Sequence, residues 1–157
     1  MSTEWATQVA LLTLRLAGFG IAFAHGLEKF IRLTTGEATV FIEIVANLGF
    51  PAPIFFAWLA TIAELAGGLL IGFGIYPRIA AAFAAFTMLI ATVAQHKLHL
   101  HILSFVGLAP VPDETLSRWG DPEPSFLYLL IFVALVLLGG GNYSLQRLFR
   151  KPRTPFG

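Results

Sequence analysis

Four long apolar runs constrain this chain more than any other feature of its sequence. They cover residues 5–24, 53–76, 79–94 and 126–141. The hydrocarbon core of a bilayer is about 30 Å thick, so a spanning helix needs roughly 17–25 mostly apolar residues. All four runs reach that length once neighbouring residues are added. We therefore predict a single domain with four membrane-spanning helices, at approximately 5–30, 53–76, 78–97 and 124–141.

The composition excludes several classes of protein. Only 12% of the residues are charged and 57% are hydrophobic, whereas a soluble domain carries about 25% charged residues. A net charge of +1 provides no basic surface for nucleic acid. The chain has no cysteine, which excludes disulfides, thiolate catalysis and iron–sulfur ligation. The predicted fold is an all-α integral membrane four-helix bundle.

The distribution of Lys and Arg predicts the orientation of the bundle. The densest basic cluster lies in the tail, residues 142–157, which we predict to be cytoplasmic. Four spans then place the N-terminus in the cytoplasm as well. The start of the chain lacks the basic flank and cleavage site of a signal peptide, so the first run is expected to remain as a span. The cluster consists of Arg147, Arg150, Lys151 and Arg153.

The two segments predicted to lie outside differ in character. Residues 38–46 are apolar but too short to span, and they indicate a short interfacial helix. Residues 97–124 are rich in proline and acidic side chains, with a turn at Trp119 and Gly120. We predict an irregular loop there.

Two charges fall inside the predicted spans, Arg15 in the first and Glu64 in the second. Because these helices run antiparallel, both charges are expected near the middle of the bilayer. A lone intramembrane charge is costly, so we predict an Arg15–Glu64 ion pair. Such a pair could serve only to fix the packing of the bundle, or it could mark a functional site.

A stripe on the first span extends this prediction. Positions 15, 18, 22, 25 and 29 follow the spacing of one helical face. His25 and His96, predicted at similar depth, could line a pocket open to the outer leaflet together with Glu28, Lys29 and Glu64. We assign catalytic roles to Glu64 and His25, and ligand-binding roles to Arg15, Lys29, His96 and Glu28.

Histidines raise two further hypotheses. Two histidines on different helices could ligate a haem, although nothing else in the sequence favours haem. His96, His99 and His101 could hold a zinc or copper ion, but neither a helix nor a strand places all three on one side. The spacing favours histidines at the level of the lipid headgroups over a metal site.

Several motifs together resemble the DoxX-like family of integral membrane proteins. The similar stretches include residues 15–18, 25–29, 48–53 and 64–68, and 139–145 resembles the closing motif of the family. Gln146 stands where an Asp is common, and the 97–124 loop is unusually long. The resemblance implies a four-helix membrane bundle of bacteria or archaea, in a family that includes small subunits of thiosulfate:quinone oxidoreductases.

Three functions remain open. The first is a quinone-linked redox or redox-associated subunit of the inner membrane, with a quinone or other small hydrophobic ligand and a partner redox subunit. The second is a non-catalytic assembly or anchoring subunit, and the third is a small-molecule transporter. Small-residue faces such as that of Gly68 and Gly72 indicate close helix packing and allow a homo-oligomer.

Overall fold

The structure of the protein is a computed structural model that describes residues 3–149. Within this range helices are joined by turns and short loops, and there is no β-strand. A helix lies at each of the four predicted spans, and shorter helices fill the connections. The helices are α1 (Thr3–Thr35), α2 (Thr39–Asn47), α3 (Pro53–Phe73), α4 (Pro77–Gln95), α5 (Leu98–Phe105), α6 (Asp113–Trp119), α7 (Glu123–Leu138) and α8 (Leu145–Phe149).

Helices α1, α3 and α4 are each long and apolar enough to cross a membrane. Helix α7 has 16 residues, which is about 24 Å at 1.5 Å per residue and shorter than the hydrocarbon core. Together α6 and α7 are long and apolar enough to cross a membrane, but the two helices are bent by 46° relative to each other. The described chain therefore has three candidate spans, or four if the bent pair counts as one.

The long helices pack in a closed circuit in which α1 contacts α3 and α7, and α4 contacts the same two helices. Alanines of α4, including Ala81 and Ala84, are fully buried against Phe132 and Leu135 of α7. Small side chains let two helix backbones approach closely, which is how helices associate when lipid supplies no hydrophobic drive. The outward faces of the bundle keep large apolar side chains exposed, as a membrane requires.

The two long helices α1 and α4 each contain one π-helical turn. The turns span Ala22–Gly26 and Ala91–Gln95, and each closes with an i to i+5 hydrogen bond. A π turn adds one residue to an α-helix and rotates everything beyond it relative to what precedes it. Both turns lie in the half of the bundle where α2 packs against α3, so both affect the geometry of that half.

The connections agree with the sequence in one place and differ in another. Helix α2 lies where the short helix was predicted and packs against α3. The prediction of an irregular loop over 97–124 is wrong, because α5 and α6 occupy much of it. Helix α6 has acidic residues in its first turn, Arg118 in its last, and a 2.8 Å Glu114–Arg118 ion pair. These features stabilise a short helix. Of the predicted basic tail, residues 150–157 lie outside the described range.

Candidate functional site

The buried ion pair of the bundle joins Lys29 of α1 to Glu64 of α3. Lys29 Nζ lies 2.7 Å from Glu64 Oε1 and 2.8 Å from Oε2, so the ammonium group donates to both carboxylate oxygens. The Glu64 side chain is 1% exposed and that of Lys29 is 28% exposed. Lys29 Nζ also lies 4.9 Å from the centre of the Phe41 ring of α2. The cation thus connects three helices.

The predicted Arg15–Glu64 ion pair is wrong. Arg15 instead contacts α3 at Ile71 and Gly72, seven and eight residues beyond Glu64. At 1.5 Å per residue this separates the two charges by about 11 Å along α3. Both charges would lie near mid-membrane if each helix were centred on its apolar run. Helix α1 continues to Thr35, so Arg15 lies well before its midpoint.

Arg15 has a different environment, made of backbone carbonyl groups. Its guanidinium donates to the carbonyls of Ile71 (3.1 Å) and Gly72 (2.8 Å) at the end of α3. It also donates to Gly140 (3.1 Å) and Tyr143 (3.0 Å) in the segment that follows α7. The last carbonyls of a helix lack partners within the helix, and Arg15 supplies them. Four of the five N–H donors of its guanidinium are used in this way, and its ligand-binding role stays a prediction.

Because of the π turn, Gly26 and not His25 lies on the face of α1 that contacts α3. A Cβ on Gly26 would lie 2.6 Å from the Leu65 backbone nitrogen, so Gly26 faces α3. The preceding residue, His25, is exposed and meets the ring of Tyr128 of α7 edge-on, with centroids 6.3 Å apart. The prediction that His25 shares a face with Arg15 and Lys29 is therefore wrong. The extra residue of the π turn rotates His25 away from α3.

An apolar pocket of about 200 Å³ opens beside the ion pair, between α2, α3 and α4. Four polar side chains line it: Lys29, Glu64, Thr87 and Gln95, the last residue of the second π turn. The volume is below the roughly 300–1,000 Å³ of pockets for drug-sized ligands, and it suits a single ring. The remaining wall is mostly aliphatic and aromatic, with Phe41, Val45, Phe56, Ala63, Phe86 and Ile90 among its members.

Two other predicted ligand-binding residues lie outside this pocket. Glu28 is exposed and pairs with Arg32 at 2.7 Å. The half-buried His96 donates from Nδ1 to the carbonyl of Trp119 at 2.6 Å, which ties the end of α4 to the end of α6. Of the predicted site residues, the pocket therefore brings together Lys29 and Glu64. Gln95 and Phe41 also line the pocket but were not predicted from the sequence. The position of Gln95, at the end of an apolar run, was a signal that could have indicated it.

The His96, His99 and His101 cluster is not assembled as a metal site. Within residues 3–149, no three His, Asp or Glu side chains are placed to hold an ion. The reason is local: Lys97 has a left-handed backbone (φ 51°), which breaks the chain between α4 and α5. His96 therefore belongs to one helix end and the other two histidines belong to the next helix.

The apolar helices and the ion pair enclosed between them define a multi-pass helical membrane protein with a small, mostly apolar pocket beside the pair. A family model described as DoxX matches residues 10–97, more than half of the chain. The protein belongs to the DoxX family, as its motifs predicted. The matched residues contain the whole ion pair and all three helices that enclose the pocket.

A named relative gives a further comparison. A Bacillus subtilis (strain 168) protein named "Putative oxidoreductase CatD" is 34% identical over 139 residues, which cover 88% of this chain and 86% of that protein. No solved structure matches this chain. The similarity therefore extends over nearly the whole of both proteins and includes the segments that form the pocket.

Proposed function

We propose that the protein is a quinone-linked redox subunit of the inner membrane that binds a quinone headgroup in the pocket beside Lys29 and Glu64. The observation that carries the proposal is a buried ion pair at the wall of an apolar pocket. The name of the Bacillus subtilis relative, an oxidoreductase, supports the redox part of the proposal. The size of the pocket supports a single-ring headgroup.

The donors in the pocket match what a quinone requires. An ammonium group has three N–H donors, and two of those of Lys29 are used by Glu64. The third can donate to a quinone carbonyl, and the amide of Gln95 offers a second donor from α4. The surrounding aliphatic and aromatic wall excludes water, which strengthens these hydrogen bonds. A neutral ring fits a pocket whose two charges already compensate each other.

The ion pair can also hold and release protons. A quinone takes up two protons as it receives two electrons, and it returns them when it is oxidised. Glu64 and Lys29 form a hydrogen-bonded carboxylate–ammonium pair at the pocket wall, and such groups serve as general acid and base when they lie within reach of the reacting oxygen. The chain has no cysteine to hold an iron–sulfur cluster. We therefore assign the supply of electrons to a partner redox subunit.

Binding of a tail-less quinone to the protein in lipid nanodiscs tests this proposal. The probe is 2,3-dimethoxy-5-methyl-1,4-benzoquinone, titrated calorimetrically. We expect binding by the wild type and an affinity about tenfold or more lower in the double variant Lys29→Gln/Glu64→Gln, since charged hydrogen bonds contribute on that scale. The double variant avoids leaving one buried charge unpaired.

Two controls make the result specific. Glu28→Gln and His25→Ala change neighbours of Lys29 that lie outside the pocket, and both should bind like the wild type. Equal binding by the double variant, or no binding by a folded wild type, would refute the proposal. The second of these results would favour the assembly-subunit alternative.

We also propose that both termini face the cytoplasm. Arg78, after the turn between α3 and α4, and Arg147 of α8 line a shared cavity at one end of the bundle, which the positive-inside tendency places in the cytoplasm. Because the chain has no cysteine, single cysteines report sidedness without background. A membrane-impermeant maleimide on spheroplasts should label Ser117→Cys of α6 and spare Asn142→Cys. The reverse pattern would invert the topology.

A further inference from the structure

A second cavity continues the pocket along the outside of the bundle. It is a groove of about 530 Å³ between α3 and α4. Leu59, Ala63 and Phe83 line both the pocket and the groove. The two spaces therefore meet at these three side chains, one of which, Ala63, directly precedes Glu64 in α3.

The groove is lined by small and large apolar residues. Its small members are Ala63, Ala66, Gly67 and Ala80, and its larger members include Ile62, Leu70 and Ile79. Tyr76 at the far end carries the one polar side-chain group among the lining residues. From Leu59 to Leu70 the groove follows α3 for about 16 Å, or roughly half of the hydrocarbon core.

The depth of the ion pair limits what can occupy both spaces. Glu64 lies eleven residues after Pro53, where α3 begins, and this places it about 16 Å along the helix. A phospholipid keeps its charged headgroup at the membrane surface, so it cannot put that headgroup beside Glu64. A molecule with an uncharged ring and an aliphatic tail can place its ring at this depth.

We infer that the ligand of the pocket is a membrane-borne quinone with a long aliphatic tail, whose tail leaves through the groove between α3 and α4. This inference rests on the proposed function and specifies its substrate class. Lipid is as apolar as the groove, so the groove adds little hydrophobic attraction for the tail. Its role is to give the tail an exit while the ring is enclosed.

The groove can be blocked without touching the pocket. Ala66 is exposed on α3 and lines the groove, but it does not line the pocket. The variant Ala66→Trp places an indole in the path of the tail. Ala82 is an exposed alanine of α4 that lines neither cavity, so Ala82→Trp is the matched control for the added bulk.

The experiment compares a decyl-tailed quinone with the tail-less quinone of the same ring, in nanodiscs of neutral lipid and of anionic lipid. The affinity of each quinone is compared between variants in the same lipid, so the partitioning of that quinone into the lipid is the same on both sides and cancels. We expect Ala66→Trp to weaken binding of the decyl quinone by about tenfold or more, since steric overpacking is penalised on that scale. Its affinity for the tail-less quinone should stay at the wild-type value, and Ala82→Trp should leave both affinities unchanged.

The outcomes separate this inference from the proposed function. A wild type that binds neither quinone refutes the proposed function, and the inference with it. If both quinones bind but Ala66→Trp leaves the decyl quinone unaffected, only the inference about the tail is refuted. Decyl quinone that binds in neutral discs and is excluded from anionic discs would assign the groove to an anionic phospholipid instead.

Discussion

Gly18 of α1 and Gly68 of α3 pack backbone against backbone. A Cβ on either glycine would lie 2.5 Å from the carbonyl oxygen of the other, closer than any real Cβ contact. Gly18 is also next to Gly72, whose backbone nitrogen would lie 2.8 Å from the same added atom. Because the neighbours are backbone atoms, they cannot move aside without separating the two helices.

The first prediction follows from this contact. Gly18→Ala should destabilise the bundle by about 1–3 kcal/mol, the usual cost of overpacking. Gly67→Ala is the matched control, because its Cβ would meet only the Ala80 oxygen at 3.7 Å, and alanine favours a helix over glycine by about 1 kcal/mol. Thermal unfolding in detergent measures both. A Gly18→Ala protein as stable as Gly67→Ala would contradict the packing.

The second prediction concerns the Lys29–Glu64 pair. Lys29→Met leaves Glu64 buried without a cation and should cost about 3–5 kcal/mol, whereas Lys29→Met/Glu64→Gln should recover most of that loss. Arg32→Met breaks the exposed Glu28–Arg32 pair and should change stability by no more than about 1 kcal/mol. Denaturation curves for the wild type, Lys29→Met, Glu64→Gln and the double variant form a double-mutant cycle. Additive effects of the two substitutions would exclude coupling between Lys29 and Glu64.

The third prediction concerns Arg15. Arg15→Met removes the side-chain donor from four carbonyls and should destabilise the protein by at least about 3 kcal/mol. Arg15→Lys keeps the charge but lacks the planar fork of donors, so an intermediate loss is expected. Arg78→Met is the control, because within residues 3–149 Arg78 makes one 3.2 Å hydrogen bond, to the carbonyl of Leu137. If Arg15→Met and Arg78→Met unfold at the same temperature, the carbonyl contacts contribute nothing to stability.

The fourth prediction uses the π turn of α1. Deletion of the exposed Ala24 removes the extra residue, so the turn can become α-helical while Gly26 and Lys29 keep their positions against α3. We expect this protein to fold and to retain the Lys29–Glu64 coupling energy. Deletion of Leu16 is the control, because it changes the spacing of Arg15 and Gly18 in a regular stretch of helix. Loss of folding in the Ala24 deletion alone would show that the π turn itself is required.

The helices of this protein could be predicted from its sequence because each long apolar run has only one way to satisfy its backbone in a membrane. The short helix α2 could also be predicted, since it stands between a glycine and a pair of prolines. Helix α6 was missed because flanking prolines and acidic residues indicate a loop. Local acidic and basic residues at its two ends outweighed that signal.

The site could be predicted only in part. Glu64 and Lys29 were recognised as intramembrane or near-membrane charges, but Glu64 was given the wrong partner. Pairing depends on the register between two antiparallel helices, and the Gly18–Gly68 contact sets that register without any charge. The exclusion of His25 depends on the π turn, and no residue type within Ala22–Gly26 marks it.

The carbonyl contacts of Arg15 also order events during synthesis. Two of its acceptors, Ile71 and Gly72, are made soon after α1, but Gly140 and Tyr143 lie 125 and 128 positions further along the chain. A growing chain therefore holds a half-satisfied cation in α1 until residues 140–143 have been made. The segment after α7 therefore completes the hydrogen bonding of a side chain in α1, so Arg15 is fully paired only once all four long helices have been made.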